Sequence, residues 1–211
     1  MRNNISANNI KQLWRDYIVS PILAGICIAI SGIVYIKIGG VVGSILFAFG
    51  LITVIHYGFK LYTGTAGFIM TSKDFSRLVF ILVLNSIGCI LVASMMKYVN
   101  PELSVQAIKV VETRLGLTLL QCGLMGVGCG FIMTTVVKYA RENKWLPLLF
   151  GVPVFILCGF LHSIADIFYI AMIPWDYQVE DNALLYRWYM VVAGNLIGCN
   201  LVRILNLSKN S

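Results

Sequence analysis

The sequence predicts an all-α membrane protein of six transmembrane helices, arranged as two inverted three-helix repeats in which the second helix of each repeat is broken. Three observations carry this: the composition, a series of apolar stretches of spanning length, and an internal duplication. Of 211 residues, 59% are hydrophobic and only 12% charged, a balance that excludes an ordinary soluble domain. The polar, Asn-rich opening segment has no short apolar core followed by a small-residue cleavage site, so no cleavable signal is expected. Cys27, Cys89, Cys122, Cys129, Cys158 and Cys199 all lie in apolar stretches. Buried thiols are therefore expected, with no disulfide framework and no metal site.

A transmembrane helix needs about 20 mostly apolar residues. After a basic segment, 1–17, the candidates are 18–36, 38–70, 78–96, 115–137, 145–173 and 184–205, followed by a short tail, 207–211. The transmembrane domain is thus expected over 18–206, with one repeat at about 18–98 and the other at about 115–206. Two candidates are too long for a simple crossing, and each is interrupted by polar residues, at 60–65 and at 161–166. Such interruptions are tolerated at membrane depth where they line a cavity or pathway.

Orientation follows from Lys and Arg. With the N-terminus inside, the inner segments hold ten (Arg2, Lys11, Arg15, Lys73, Arg77, Lys138, Arg141, Lys144, Arg203 and Lys209) and the outer segments five (Lys37, Lys97, Lys109, Arg114 and Arg187), leaving Lys60 in the membrane. Both termini are expected to be cytoplasmic, in a plasma (inner) membrane. The net charge of +7 is therefore assigned to topology. It forms no continuous basic face, so no nucleic-acid partner is expected.

The duplication appears at fixed offsets. Phe49-Gly50 and Gly58-Phe59 recur as Phe150-Gly151 and Gly159-Phe160, 101 residues on, and Gly25 matches Gly126 at the same offset. Asn85-Ser86-Ile87-Gly88-Cys89-Ile90-Leu91-Val92 recurs at 195–202 with six identities in eight, 110 residues on. Each half holds three spans, an odd number, so the second copy enters the membrane from the opposite side. That architecture places a site at the midplane, where the two breaks meet. The spacings Gly39-x-x-x-Gly43 and Gly194-x-x-x-Gly198 and the run Gly123, Gly126, Gly128, Gly130 fit close helix packing.

Several strings resemble the formate/nitrite transporter family: Ala24-Gly25-Ile26-Cys27-Ile28 in the first span, Phe47-Ala48-Phe49-Gly50-Leu51-Ile52 leading to Leu61-Tyr62-Thr63-Gly64 in the second, Asn85 to Gly88 in the third, Gly159-Phe160-Leu161-His162-Ser163-Ile164-Ala165-Asp166 in the fifth, and Gly194-Asn195 in the last. The histidine string is the most specific. The resemblance covers about residues 20 to 206 and implies an aquaporin-like protomer in a homopentamer, with one pore per protomer. It also implies that His162 is the central pore histidine and Thr63 its partner, that Phe47, Leu51, Leu61, Tyr62 and Phe155 line the apolar constrictions, and that Arg114 is a vestibule residue. Lys60, Leu161, Asp166 and Gly130 depart from the family pattern.

At the residue level, a histidine at a helix break at midplane depth, opposite a second polar break, points to a pathway rather than to packing. For His56, one turn before the first break, packing is the better reading. A desolvated imidazole is expected to be neutral at rest and to donate one hydrogen bond to an arriving anion. Lys60 and Asp166 are expected to form an intramembrane ion pair. Cys158 and His162, four apart, would share a helical face and offer a thiol-protease alternative. The aromatic residues near span ends, Trp14, Tyr17, Tyr35, Tyr98, Trp145, Trp175, Trp188 and Tyr189, fit interfacial belts. The expected function is a channel or secondary transporter for a small monovalent anion or its conjugate weak acid (formate, nitrite, hydrosulfide or lactate class), with or without a proton. Neither a cofactor nor enzyme activity is expected. A non-transporting or regulatory member of the same fold is the alternative.

Overall fold

The structure, a computed structural model, describes residues 7–174, 176–177 and 182–205. Arg2, Trp175, Glu180, Asp181, Lys209 and the predicted tail lie outside the described residues. Every regular element among the described residues is helical. Helix α1 (Ala7–Trp14) runs through a π-helical turn, Arg15–Val19, into α2 (Ser20–Ile38). The first helix therefore begins well before the predicted boundary. Gly39, at φ +64°, ends α2 and starts α3 (Gly40–His56). A Cβ at Gly39 would meet nothing within 4 Å, so this glycine serves the turn and is not the helix-packing residue that its spacing to Gly43 suggests.

Past α3 the chain breaks at Gly58 (φ +68°), passes through Leu61 in extended conformation, and resumes as the single-turn α4 (Tyr62–Ala66). Helix α5 (Ser72–Val99) starts in a reciprocal capping box between Thr71 and Asp74. An unpredicted helix, α6 (Pro101–Leu115), joins the halves. Its start signal is nevertheless in the sequence: Asn100 accepts a hydrogen bond from the Leu103 N–H, and proline follows at once. The second half then repeats the first as α7 (Leu119–Arg141), α8 (Leu146–Leu157), a break at Gly159 (φ +74°), α9 (Ser163–Met172) and α10 (Ala183–Ile204). By length and composition, Lys11–Ile38, Ser72–Val99 and Leu119–Arg141 are long and apolar enough to cross a membrane, and α3, α8 and α9 are shorter apolar helices. Outward-facing Val41, Val42, Phe49, Leu91, Leu120 and Phe150 are exposed, as expected of a lipid-facing or subunit-facing surface.

The two breaks are built alike. The Phe59 N–H bonds the Val54 carbonyl at 2.8 Å, and the Phe160 N–H bonds the Phe155 carbonyl at 2.9 Å, matching the offset of 101. The backbone groups freed by each break are taken up by one buried asparagine. Asn85 Oδ1 accepts from the Tyr62 N–H at 2.8 Å, while its amide donates to the carbonyls of Pro21 and Lys60 at 2.7 and 2.9 Å. Asn195 Oδ1 accepts from the Ser163 N–H at 2.9 Å, while its amide donates to Gly126 and Leu161 at 2.9 and 2.8 Å. Across the halves, the Cys89 thiol donates to the Ile164 carbonyl (3.3 Å) and the Cys199 thiol to the Thr63 carbonyl (3.4 Å). The third helix of each repeat thus holds the tip that belongs to the other.

One part of the predicted register is corrected. A Cβ on Gly25 would stand 2.1 Å from the Asn85 carbonyl oxygen, and one on Gly130 would stand 2.3 Å from that of Asn195. Gly88 likewise abuts Ile22, and Gly198 abuts Val127. The counterpart of Gly25 is therefore Gly130, at an offset of 105. The segment between the first and second helices is four residues shorter in the second half, and a helix with glycine at 123, 126, 128 and 130 offers several false registers.

These contacts make a direct prediction. Alanine at Gly198 would bring its Cβ within 2.0 Å of the Val127 carbonyl oxygen, whereas at Gly43 the nearest atom is 3.5 Å away. Gly198→Ala is expected to lower the melting temperature of the detergent-solubilised protein sharply or to abolish its folding, and Gly43→Ala to leave it nearly unchanged. Equal melting of the two variants would contradict the packing described.

Candidate functional site

The extended backbone at His162 (φ −110°, ψ 113°) makes it the N-cap of α9, and Nδ1 accepts a hydrogen bond from the Ala165 N–H at 3.2 Å. Because a backbone N–H can only donate, Nδ1 must offer a lone pair, and the proton of a neutral ring then sits on Nε2. Nε2 lies 2.9 Å from Thr63 Oγ1, so the imidazole donates and the threonine hydroxyl keeps its own hydrogen for another acceptor. His162 is 2% exposed and Thr63 fully buried. The Phe155 ring lies 5.9 Å from the imidazole, and Phe47 meets Phe155 edge-on at 6.1 Å.

Two cavities approach this contact. One, of about 490 Å³, is lined by Phe47, Phe155, His162, Lys109, Arg114 and Asp166 among others. The other, of about 720 Å³, is lined by Leu51, Leu61, Lys60, Arg77 and Arg141 among others. Phe47 and Phe155 thus flank the histidine on one side, and Leu51 and Leu61 close the approach on the other. Tyr62 lines neither cavity. It is 2% exposed, and its hydroxyl donates to the Val192 carbonyl at 3.0 Å, so it anchors α4 to α10 instead of lining a constriction.

The expected Lys60–Asp166 pair is not formed. Asp166 lines the smaller cavity and Lys60 the larger, and the partner of Asp166 is Arg114, whose Nη2 and Nε lie 2.9 and 3.1 Å from Oδ1. Lys60 is exposed on the wall of the larger cavity, and its backbone N–H donates to Ser20 Oγ at 3.0 Å. The helix α6 that carries Arg114 has no counterpart in the sequence-based outline, which is why this partner could not be anticipated. Cys158 and His162 do not share a helical face, because the break at Gly159 separates them, and Cys158 is exposed. His56 packs edge-on against Tyr57 at 5.0 Å. Asn85 and Asn195, which hold both breaks, were legible only as part of the repeat; an asparagine recurring in an apolar helix was the available signal. No cluster of three metal-binding side chains occurs among the described residues.

Two discontinuous helices from inverted halves, meeting at a buried imidazole between opposed vestibules, define a membrane channel or transporter. The family model described as formate/nitrite transporter matches residues 3–207, and the chain belongs to that family. Among solved structures, one described as a pentameric formate channel with formate bound is similar with a TM-score of 0.82 at 19% identity, covering 96% of this chain and 98% of the other. Another, described as an FNT family ion channel, has a TM-score of 0.80 at 19% identity, with 97% and 93% covered. No curated protein matches by sequence. The protein is thus a membrane transport protein of an anion-channel family and not an enzyme, which sets the thiol-protease alternative aside.

Proposed function

We propose that the protein passes a small monovalent anion or its conjugate weak acid, of the formate, nitrite, hydrosulfide or lactate class, through a pore centred on His162. The observation that carries this reading is the imidazole whose Nε2 meets Thr63 at 2.9 Å at the partition between the two cavities. An isolated carboxylate loses tens of kcal/mol of hydration on entering a medium of low dielectric constant, so an unassisted anion does not cross the slits at Phe47 and Phe155 or at Leu51 and Leu61. The Thr63 hydroxyl hydrogen, left free because Nε2 donates to its oxygen, replaces part of that hydration, and Nε2 adds its own hydrogen when it turns from Thr63 to the anion. A permeant that takes a proton from water in the vestibule crosses as its neutral conjugate acid, which removes most of the remaining cost, and the proton then travels with the substrate.

The same reading includes six membrane crossings, with α3–α4 and α8–α9 each making one, both termini cytoplasmic, and a homopentamer in the plasma membrane. The larger cavity supports the orientation, because Arg77 and Arg141, both from segments predicted to be inside, line it together with Lys60. Purified protein in proteoliposomes is expected to show saturable uptake of at least one of formate, nitrite, hydrosulfide and lactate. Absence of uptake for all four would overturn transport and leave a non-transporting member of the fold.

A further inference from the structure

Asp166 lies in the first turn of α9, one turn beyond His162, and its N–H donates to the His162 carbonyl at 2.8 Å. Its side chain is 3% exposed and lines the cavity that leads to the histidine. Both Arg114 hydrogen bonds fall on Oδ1, and Oδ2, although buried, has no partner at all. The charged and titratable groups around this cavity are Arg114 and Lys109 from α6, Tyr35 from α2, and Tyr169 and His162 beside Asp166. None of them donates to Oδ2. The arginine is itself largely occupied, since Nη1 donates to the Val110 carbonyl and to Thr113 Oγ1 at 3.0 and 2.8 Å.

A buried carboxylate oxygen without a donor is costly and requires an explanation. A structural role in tying α6 to α9 accounts for Oδ1 and leaves Oδ2 unexplained. Toward a permeant, Oδ2 has one chemical preference: it repels a bare anion and accepts a hydrogen bond from a molecule that brings its own acidic hydrogen.

Resting on the transport reading, we propose that Asp166 is a specificity-determining residue. Its free oxygen admits the protonated form of a weak monobasic acid through the smaller cavity and rejects anions of strong acids, which have no hydrogen to donate. Arg114 holds the carboxylate in place and offsets its charge, so that the cavity remains accessible to anions while its innermost wall selects for a donor.

The test uses formate, the anion of a weak acid, and nitrate, a planar strong-acid anion of similar size. Uptake of each is measured at equal concentration and pH into proteoliposomes containing wild type or Asp166→Asn. The variant keeps an acceptor for Arg114 but presents an amide donor where Oδ2 stood. Wild type is expected to favour formate strongly, and Asp166→Asn to lower the formate-to-nitrate ratio about tenfold, mainly by gaining nitrate uptake. An unchanged ratio with formate uptake retained, or a wild type that does not favour formate over nitrate, would overturn the proposal and leave the transport reading standing, whereas the transport reading falls only if nitrite, hydrosulfide and lactate are not taken up either. Should Asp166→Asn not fold, the double variant Asp166→Asn/Arg114→Gln, with no charge left to balance, must show the same fall in ratio.

Discussion

Replacing His162 with alanine is expected to reduce anion uptake by one to two orders of magnitude while leaving the protein folded. The substitution removes a single buried ring donor from the wall of the smaller cavity. A hydrogen bond from such a group to a charged partner contributes roughly 1.5–3 kcal/mol, which corresponds to a factor of about ten to a hundred. The ring also closes the N-terminus of α9 through Ala165, and loss of that cap costs about 1 kcal/mol of stability, so a modest fall in melting temperature should accompany the loss of flux. His162→Asn separates the two effects. Asparagine caps helices well and retains an N–H donor, but its shorter side chain does not carry that donor to the position of Nε2 beside Thr63. It should restore the melting temperature, and its uptake should remain well below wild type if the placement of the Nε2 donor is part of the passage. Proteoliposome uptake and thermal melting, measured on the same preparations, distinguish these outcomes. Uptake by His162→Ala equal to wild type would remove the histidine from the mechanism.

The second large effect concerns folding. Asn85→Ala and Asn195→Ala each delete three buried hydrogen bonds to backbone groups exposed by a helix break. An unsatisfied buried group costs about 1–3 kcal/mol, and both asparagine side chains are fully buried. Each variant is therefore expected to lose about 3–6 kcal/mol, enough to abolish folding of a marginally stable membrane domain or to lower its melting temperature drastically. Asn85→Asp, which retains the Oδ1 acceptor for Tyr62 but faces the Pro21 and Lys60 carbonyls with a second oxygen, should not rescue folding. Melting of either alanine variant close to wild type would show that the breaks are held by something other than these amides.

The repeats and their breaks were legible in the sequence because apolar length and polar interruption are read directly from residue order. The pairing of His162 with Thr63 followed from the resemblance of the surrounding strings, since no spacing rule brings positions 63 and 162 together. What escaped depended on geometry between elements. Arg114 was visible as a basic residue, but its partnership with Asp166 exists only because α6 packs beside α9. Lys60 and Asp166 seemed to be partners because both stand at breaks among apolar neighbours, yet the fold sets them on different cavities. Tyr62 belonged to the right string but points its hydroxyl at α10. The true counterpart of Gly25 was hidden by the glycine repetition in α7.

The crossed thiol contacts carry a consequence for how the two halves depend on each other. Cys89 of the first half reaches the Ile164 carbonyl, and Cys199 of the second reaches that of Thr63, while the Thr63 hydroxyl and the His162 imidazole come from opposite halves. A solitary repeat would own a thiol with no foreign carbonyl to meet and a threonine with no histidine to face. Neither half holds a smaller version of this site. Each completes the other, and the pairing of hydroxyl with imidazole exists only where two inverted halves close on one another.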